Sequence, residues 1–216
     1  MEFTAITIHN NQMYINHEKK FIFIHVPKTA GSSIHIYFKD FFNVADRSDP
    51  LPDIHHQSVG SILEKNPIYK DYFKFAVVRN PYDRFLSAYR DFSQNKHSSR
   101  ASHPYHIEDG CTFERFCLDF SDSVWSKDIH FRPQHEILTV GDEVKVDKII
   151  RFENLKDDLQ EVFDLLGLPM HIFNNSPKHR YTNKTSNHYA QLYSDRSKEA
   201  IASFFEKDLN IFNYEF

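Results

Sequence analysis

Only five glycines occur in 216 residues, against 21 phenylalanines and 11 tyrosines. Flexible glycine linkers are excluded, and aromatic packing material is plentiful. Cysteine is scarcer still: Cys111 and Cys117 are the whole supply, too few for a disulfide framework. Six residues apart in an expected helix, they face different sides and read as reduced core thiols of a reducing compartment. Long apolar runs are missing. Phe21 to Val26 is the longest near the N-terminus, far short of the about 20 residues that span a bilayer. Residues 1–20 are mixed and polar, without a secretory pattern, so a cytoplasmic protein is expected, or a soluble piece trimmed of an N-terminal anchor. HExxH, CxxC and GxSxG do not occur, which removes the usual zinc helices, cysteine metal sites and nucleophilic serine elbow. No metal is expected; His103 with His106, and His130 with His135, are chance pairings. Positive charge is not in excess either. Twenty-six Lys and Arg meet 30 Asp and Glu, for a net charge of −4. That balance argues against nucleic acid as a partner while leaving room for a local basic pocket.

Hydrophobic residues make up 40% of the chain, enough for the core of one domain over residues 1–216. No repeat or linker divides it. Residues 1–16 suggest an N-terminal hairpin, with Phe3 to Ile8 and Met13 to Ile15 as strands around residues 9–12. Phe21 to Val26 is a near-continuous apolar run of the kind buried in a parallel sheet; Phe73 to Arg79 reads as a second buried strand and Val146 to Phe152 as a third. Between them lie amphipathic segments. One starts near Gly31, one near Ser58, one at Asn80-Pro81 with proline in a favoured first position, and one at Thr112. Another is capped by Asn154 and ended by Gly167, and the last runs from Asp195 to Glu206. Strands alternating with helices imply an α/β fold with a central, mostly parallel sheet flanked by helices, a P-loop-like three-layer arrangement.

The first apolar strand runs into Pro27-Lys28-Thr29-Ala30-Gly31-Ser32-Ser33 and then a helix. The first turn of a helix has backbone N–H groups without intrahelical partners, and their partial positive charge seats an anion. Gly31 lets the backbone come close to a ligand, Ser32 and Ser33 add hydroxyls, and Lys28 adds a full charge. A nucleotide-hydrolysing loop reads GxxxxGK(S/T), with lysine at its end. Here Lys28 precedes Gly31 and no glycine lies upstream of it, so the loop suits one anionic group rather than a triphosphate. The second buried strand ends at Arg79, where open α/β sheets bind ligands, and Ser87 follows two helical turns later. Together they make a grip for a second phosphate, with a pair between Arg79 and Asp83 as the structural alternative. Two anion seats at strand ends call for a ligand with two separated anionic groups.

At these residues the sequence resembles the sulfotransferases that use 3′-phosphoadenosine-5′-phosphosulfate (PAPS). PKTAGSS is similar to their 5′-phosphosulfate loop and RNPYDRFLSAY to their 3′-phosphate motif. The likeness continues through FRPQ (residues 131–134) and IRFENL (residues 150–155). The variant is closer to the carbohydrate branch, which sulfates glycans such as heparan and chondroitin, than to the branch acting on phenols and steroids. The resemblance implies that Lys28, Thr29, Ala30, Gly31, Ser32 and Ser33 hold the phosphosulfate, with Lys28 neutralising charge on the departing 3′,5′-ADP. It implies that Arg79 and Ser87 bind the 3′-phosphate, and that an acceptor hydroxyl displaces the sulfuryl group in line. Histidine is the side chain most easily poised as a base near neutral pH. Aligning the family's base on Ser58-Val59 favours His56, with His55 second and Asp53 and Glu64 outside candidates.

Two other readings compete. A small ATP-dependent phosphotransferase requires a Walker lysine and magnesium carboxylates that the sequence does not offer. A non-catalytic nucleotide or sulfated-glycan binding module would bind without turnover. The acceptor pocket is expected from loops 43–57, 94–110 and 174–187, the last carrying Lys178, Arg180, Tyr181 and Lys184. Arg132 and Gln134 face either the reacting groups or a structural turn at Pro133.

Overall fold

The chain enters its sheet through an antiparallel edge. Asn11–Gln12 (β1) pairs with Ile15–Asn16 (β2), and β2 pairs with Phe21–Ile24 (β3). From β3 onward the main sheet is parallel. β3 lies beside Phe73–Val78 (β4), with Phe21 opposite Phe73 and Ile24 opposite Ala76. A separate ribbon of Thr139–Val140 (β5) and Glu143–Val144 (β6) precedes Lys148–Arg151 (β7), which pairs with β4 and sets Val78 opposite Arg151. The spatial order is β1-β2-β3-β4-β7. The computed structural model describes residues 11–12, 15–42, 56–93, 107–108, 110–170 and 187–216.

Helices flank this sheet: Gly31–Phe41 (α1), Val59–Lys65 (α2), Pro81–Ser93 (α3), Phe113–Asp119 (α4), Gln134–Leu138 (α5), Leu155–Leu166 (α6), Asp195–Phe204 (α7) and Glu206–Ile211 (α8). The α/β architecture read from the alternation of apolar runs and amphipathic segments is the one observed. None of the helices among the described residues is long and apolar enough to cross a membrane.

The phenylalanines supply two cores. In α1, Ile34, Tyr37 and Phe38 recur at the spacing that puts them on one face, and all three are buried. Phe38 meets Phe21 at 5.4 Å between ring centroids, and Tyr37 meets Phe163 of α6 at 4.6 Å. This core takes in the strands, α1, α2, α5 and α6. The second core joins α3, α4 and α7. Its centre is Phe85 of α3, 4.8 Å from Phe120 and 5.3 Å from Phe131. Each such pair adds roughly 0.5–1.5 kcal/mol beyond area burial, and so many pairs hold α3 rigidly beside the sheet.

Several local expectations need correction. Asn11 and Gln12, expected in a turn, form a strand; residues 1–10 and 13–14 lie outside the described residues. The β5–β6 ribbon had no counterpart in the sequence reading, although Gly141, at φ 62°, marks its turn. Asn154 stands at the N-terminus of α6, but its amide donates to Asp158 and caps nothing. The last helix is two, broken at the buried Phe205. Cys111 precedes α4 and its cap Thr112, so only Cys117 is helical; both are free thiols. Burial raises the pKa of the Cys117 thiol.

Candidate active site

Because β3 and β4 are parallel neighbours, their carboxyl ends open on one edge of the sheet. The loop after β3 and the residue after β4 therefore emerge side by side. The Arg79 guanidinium donates from Nη1 to the Lys28 carbonyl at 3.1 Å. This bond joins the two anion motifs, 51 residues apart in sequence.

The loop itself is held under strain. Lys28 and Ala30 both lie in the left-handed region, at φ 69° and 67°, a conformation costing roughly 1–2 kcal/mol for a residue with a side chain. Thr29 stands between them, fully buried, and its hydroxyl donates to the Val26 carbonyl at 2.8 Å. The Ala30 carbonyl then accepts from Ser33 N–H at 2.9 Å and Ile34 N–H at 3.2 Å, which starts α1. Ser32 is exposed and Ser33 buried. The space a side chain would need at Gly31 is filled by the His25 ring. Glycine is required there by that ring, where the sequence reading had given the space to a ligand.

Both cations of the site have carboxylate partners. Lys28 Nζ pairs with Asp91 of α3. Arg79 forks onto Asp83 through Nε and Nη2, each at 2.8 Å, and its guanidinium lies 4.0 Å over the Phe152 ring. The structural pairing considered for Arg79 is thus present, beside the contact to Lys28. Ser87 sits half-buried on α3 and is not among the partners of Arg79.

His56 precedes α2, at φ 59°. Its Nδ1 lies 3.2 Å from the His25 carbonyl oxygen. A carbonyl only accepts, so Nδ1 carries the proton in the neutral ring and Nε2 holds the basic lone pair. The His56 ring lies 4.4 Å from His25 and 6.0 Å from His130, centroid to centroid. His25 therefore connects the candidate base to the anion loop: its carbonyl holds His56 and its ring covers Gly31. His55 and Asp53 lie outside the described residues, as do His103, His106, Lys178, Arg180, Tyr181 and Lys184. Glu64 is exposed on α2.

A family model described as the sulfotransferase family matches residues 11–215. The chain belongs to the sulfotransferase family. It is an enzyme of sulfuryl transfer. No curated protein and no solved structure matches it.

Four residues of this sulfotransferase support the site through contacts that the sequence does not show. Gln134, fully buried at the start of α5, accepts from the Arg79 N–H and donates to the Arg79 carbonyl, each at 2.9 Å. The alternative of a structural turn is therefore the one realised at Gln134, whose own N–H is held by Asp208 at 2.7 Å. Arg132 reaches back to Glu136 at 3.0 Å. Arg84 is buried in α3 and donates to the carbonyls of Arg132 at 2.7 Å, His130 at 3.1 Å and Pro27 at 3.5 Å. Burial lowers its pKa from 12.5 to about 10, with Asp208 opposing and Arg79 adding to the fall, so it stays cationic at neutral pH. Asp91 and His130 complete the set. Arg84 and Gln134 lie within RNPYDRFLSAY and FRPQ, but the buried role of neither has a spacing signal; Asp91 and His130 reach the site by tertiary contact.

Proposed function

We propose that this sulfotransferase takes its sulfuryl group from PAPS, releases 3′,5′-ADP, and sulfates a hydroxyl of a carbohydrate, with His56 as general base in a single-domain enzyme. The observation that carries this reading is the Arg79–Lys28 contact at the open edge of β3 and β4. It ties the guanidinium at the end of β4 to the backbone of the loop that carries Lys28 at the end of β3, an arrangement that suits a ligand with anionic groups on its 5′ and 3′ sides. The strained loop supports the same reading. It holds the first turn of α1 beside Lys28 and is too short for the wrap that a triphosphate needs.

Each residue then has a task. The N–H groups at the start of α1, with Ser32 and Ser33, hold the 5′ phosphosulfate. Arg79 and Ser87 select the 3′-phosphate. His56 Nε2 takes the hydroxyl proton as the acceptor oxygen bonds to sulfur. Lys28 stabilises the charge passing to the phosphate oxygen as the old S–O bond breaks. The polar, aromatic and basic content of the loops favours a sugar over a steroid acceptor.

His56→Ala tests the assignment. Sulfate transfer from labelled PAPS to a panel of glycans is expected to fall by at least about 100-fold, with calorimetric affinity for 3′,5′-ADP kept. Near-normal turnover would refute His56 as the base.

A further inference from the structure

Beside His56 stands a second imidazole, His130, with a carboxylate against it. Asp128, with a side chain only 6% exposed, accepts twice from His130. The backbone N–H and the ring Nδ1–H both reach Asp128 Oδ1 at 2.9 Å. A carboxylate only accepts, so the neutral His130 ring has its tautomer fixed, with Nε2 basic. The His130 ring meets His56 edge-on, at 6.0 Å and 67°. The His56 ring thus neighbours His25 from the end of β3 and His130 from the turn before α5, and the buried Asp128 carboxylate stands against His130. Arg84 donates to the carbonyls of both Pro27 and His130, so one guanidinium holds the anion loop and His130 in a common frame. A backbone turn at Asp128 needs only the N–H contact. The ring contact and the buried charge go beyond it.

We propose that Asp128 and His130 are positioning residues for His56. Resting on the reading of His56 as base, the pair holds the His56 ring in place. The Asp128 charge also favours the imidazolium that His56 becomes on taking the acceptor proton. That proton moves from the acceptor oxygen to His56 Nε2 and leaves to solvent after the product departs. His130 keeps its own proton and Asp128 stays ionised. The other titratable groups on the packed elements are His25 and Lys28 from the β3 end, Arg84 and Asp91 from α3, and Arg132 beside His130. They are common to every variant compared.

The experiment is the pH profile of kcat and kcat/KM for Asp128→Asn, Asp128→Glu and His130→Gln, with melting temperature and 3′,5′-ADP affinity measured on each. Removing the negative charge makes imidazolium less favourable, so the acid limb of Asp128→Asn moves about one pH unit lower and the plateau kcat falls about tenfold or more. Asp128→Glu, which keeps the charge, returns the limb toward wild type. His130→Gln loses kcat with KM for PAPS unchanged. A plateau loss with an unmoved limb in Asp128→Asn would mean a structural role and overturns the proposal, as would unchanged kinetics. If Asp128→Asn does not fold, the kcat-against-KM split in His130→Gln decides in the same way. His56→Ala separates the two claims. Retained turnover in it removes the base and the proposal together. Lost turnover in it, with wild-type behaviour of Asp128→Asn and His130→Gln, removes the positioning role alone.

Discussion

Replacing Gln134 by leucine removes the side chain that holds both backbone groups of Arg79, its N–H and its carbonyl, at 2.9 Å each. A buried backbone group left without a partner costs about 1–3 kcal/mol. Two such groups give about 2–6 kcal/mol, and the apolar leucine recovers part of that, leaving roughly 2–4 kcal/mol. For a domain of this size that lowers Tm by roughly 5–15 °C. The second consequence is local. Arg79 leaves the β4 end at the wrong angle, its fork onto Asp83 and its bond to the Lys28 carbonyl are disturbed, and 3′,5′-ADP binds about tenfold or more weakly. Affinity for 5′-AMP, which lacks the 3′-phosphate, changes little. Scanning calorimetry gives the first quantity and titration calorimetry the second, measured below the variant's melting range. An unchanged Tm would refute the buried-clamp reasoning. A lowered Tm with wild-type discrimination between 3′,5′-ADP and 5′-AMP would refute the link from Gln134 through Arg79 to the 3′-phosphate.

Asp91→Asn removes the carboxylate paired with Lys28. That pair is partly exposed and worth about 0–1 kcal/mol, so titration calorimetry is expected to show 3′,5′-ADP binding up to about fivefold more tightly; weaker binding would mean that Asp91 assists the ligand. Alkaline stability follows from buried acids. Burial raises the pKa of the Cys117 thiol and of the Tyr37, Tyr193 and Tyr214 phenols, with neighbouring acidic groups adding at all but Tyr37. The folded state therefore holds protons that the unfolded state releases above its ordinary values of 9.0 and 10.0. Stability from these groups is complete below that range and declines as pH rises through it, so Tm measured from pH 8 to 11 falls; a flat profile contradicts the burial of these side chains.

The strand runs of β3 and β4 were legible because they are mostly apolar, Lys74 being the one charged residue in them: all four residues of β3 and five of six in β4 are buried. The helix starts were legible because Ser58 and Thr112 accept hydrogen bonds from the residue three positions on, a local signal. The loop after β3 could be read for the same reason, since its chemistry is contiguous in sequence. What could not be read is whatever the fold brings in from far along the chain. Gln134 reaches Arg79 across 55 residues and Asp208 reaches Gln134 across 74. No spacing predicts either contact, and a glutamine before an apolar helix looks the same whether it meets solvent or a backbone amide. The misread of Gly31 has a similar origin. A missing side chain signals close approach, but the sequence cannot say that the approaching group is His25. Asn154 shows the limit of cap rules: Asp158, one turn on, draws its amide and leaves the N–H groups of α6 to other contacts.

The central claim is that the β3–α1 loop and the Arg79 end of β4 form one seat for a donor with two anionic groups. Titration calorimetry of the wild-type enzyme with 3′,5′-ADP, 5′-AMP and ATP tests it most directly. A clear preference for 3′,5′-ADP over both, reduced in Arg79→Ala to the level of 5′-AMP, is the predicted result. Preference for ATP, or equal binding of 3′,5′-ADP and 5′-AMP, would contradict it.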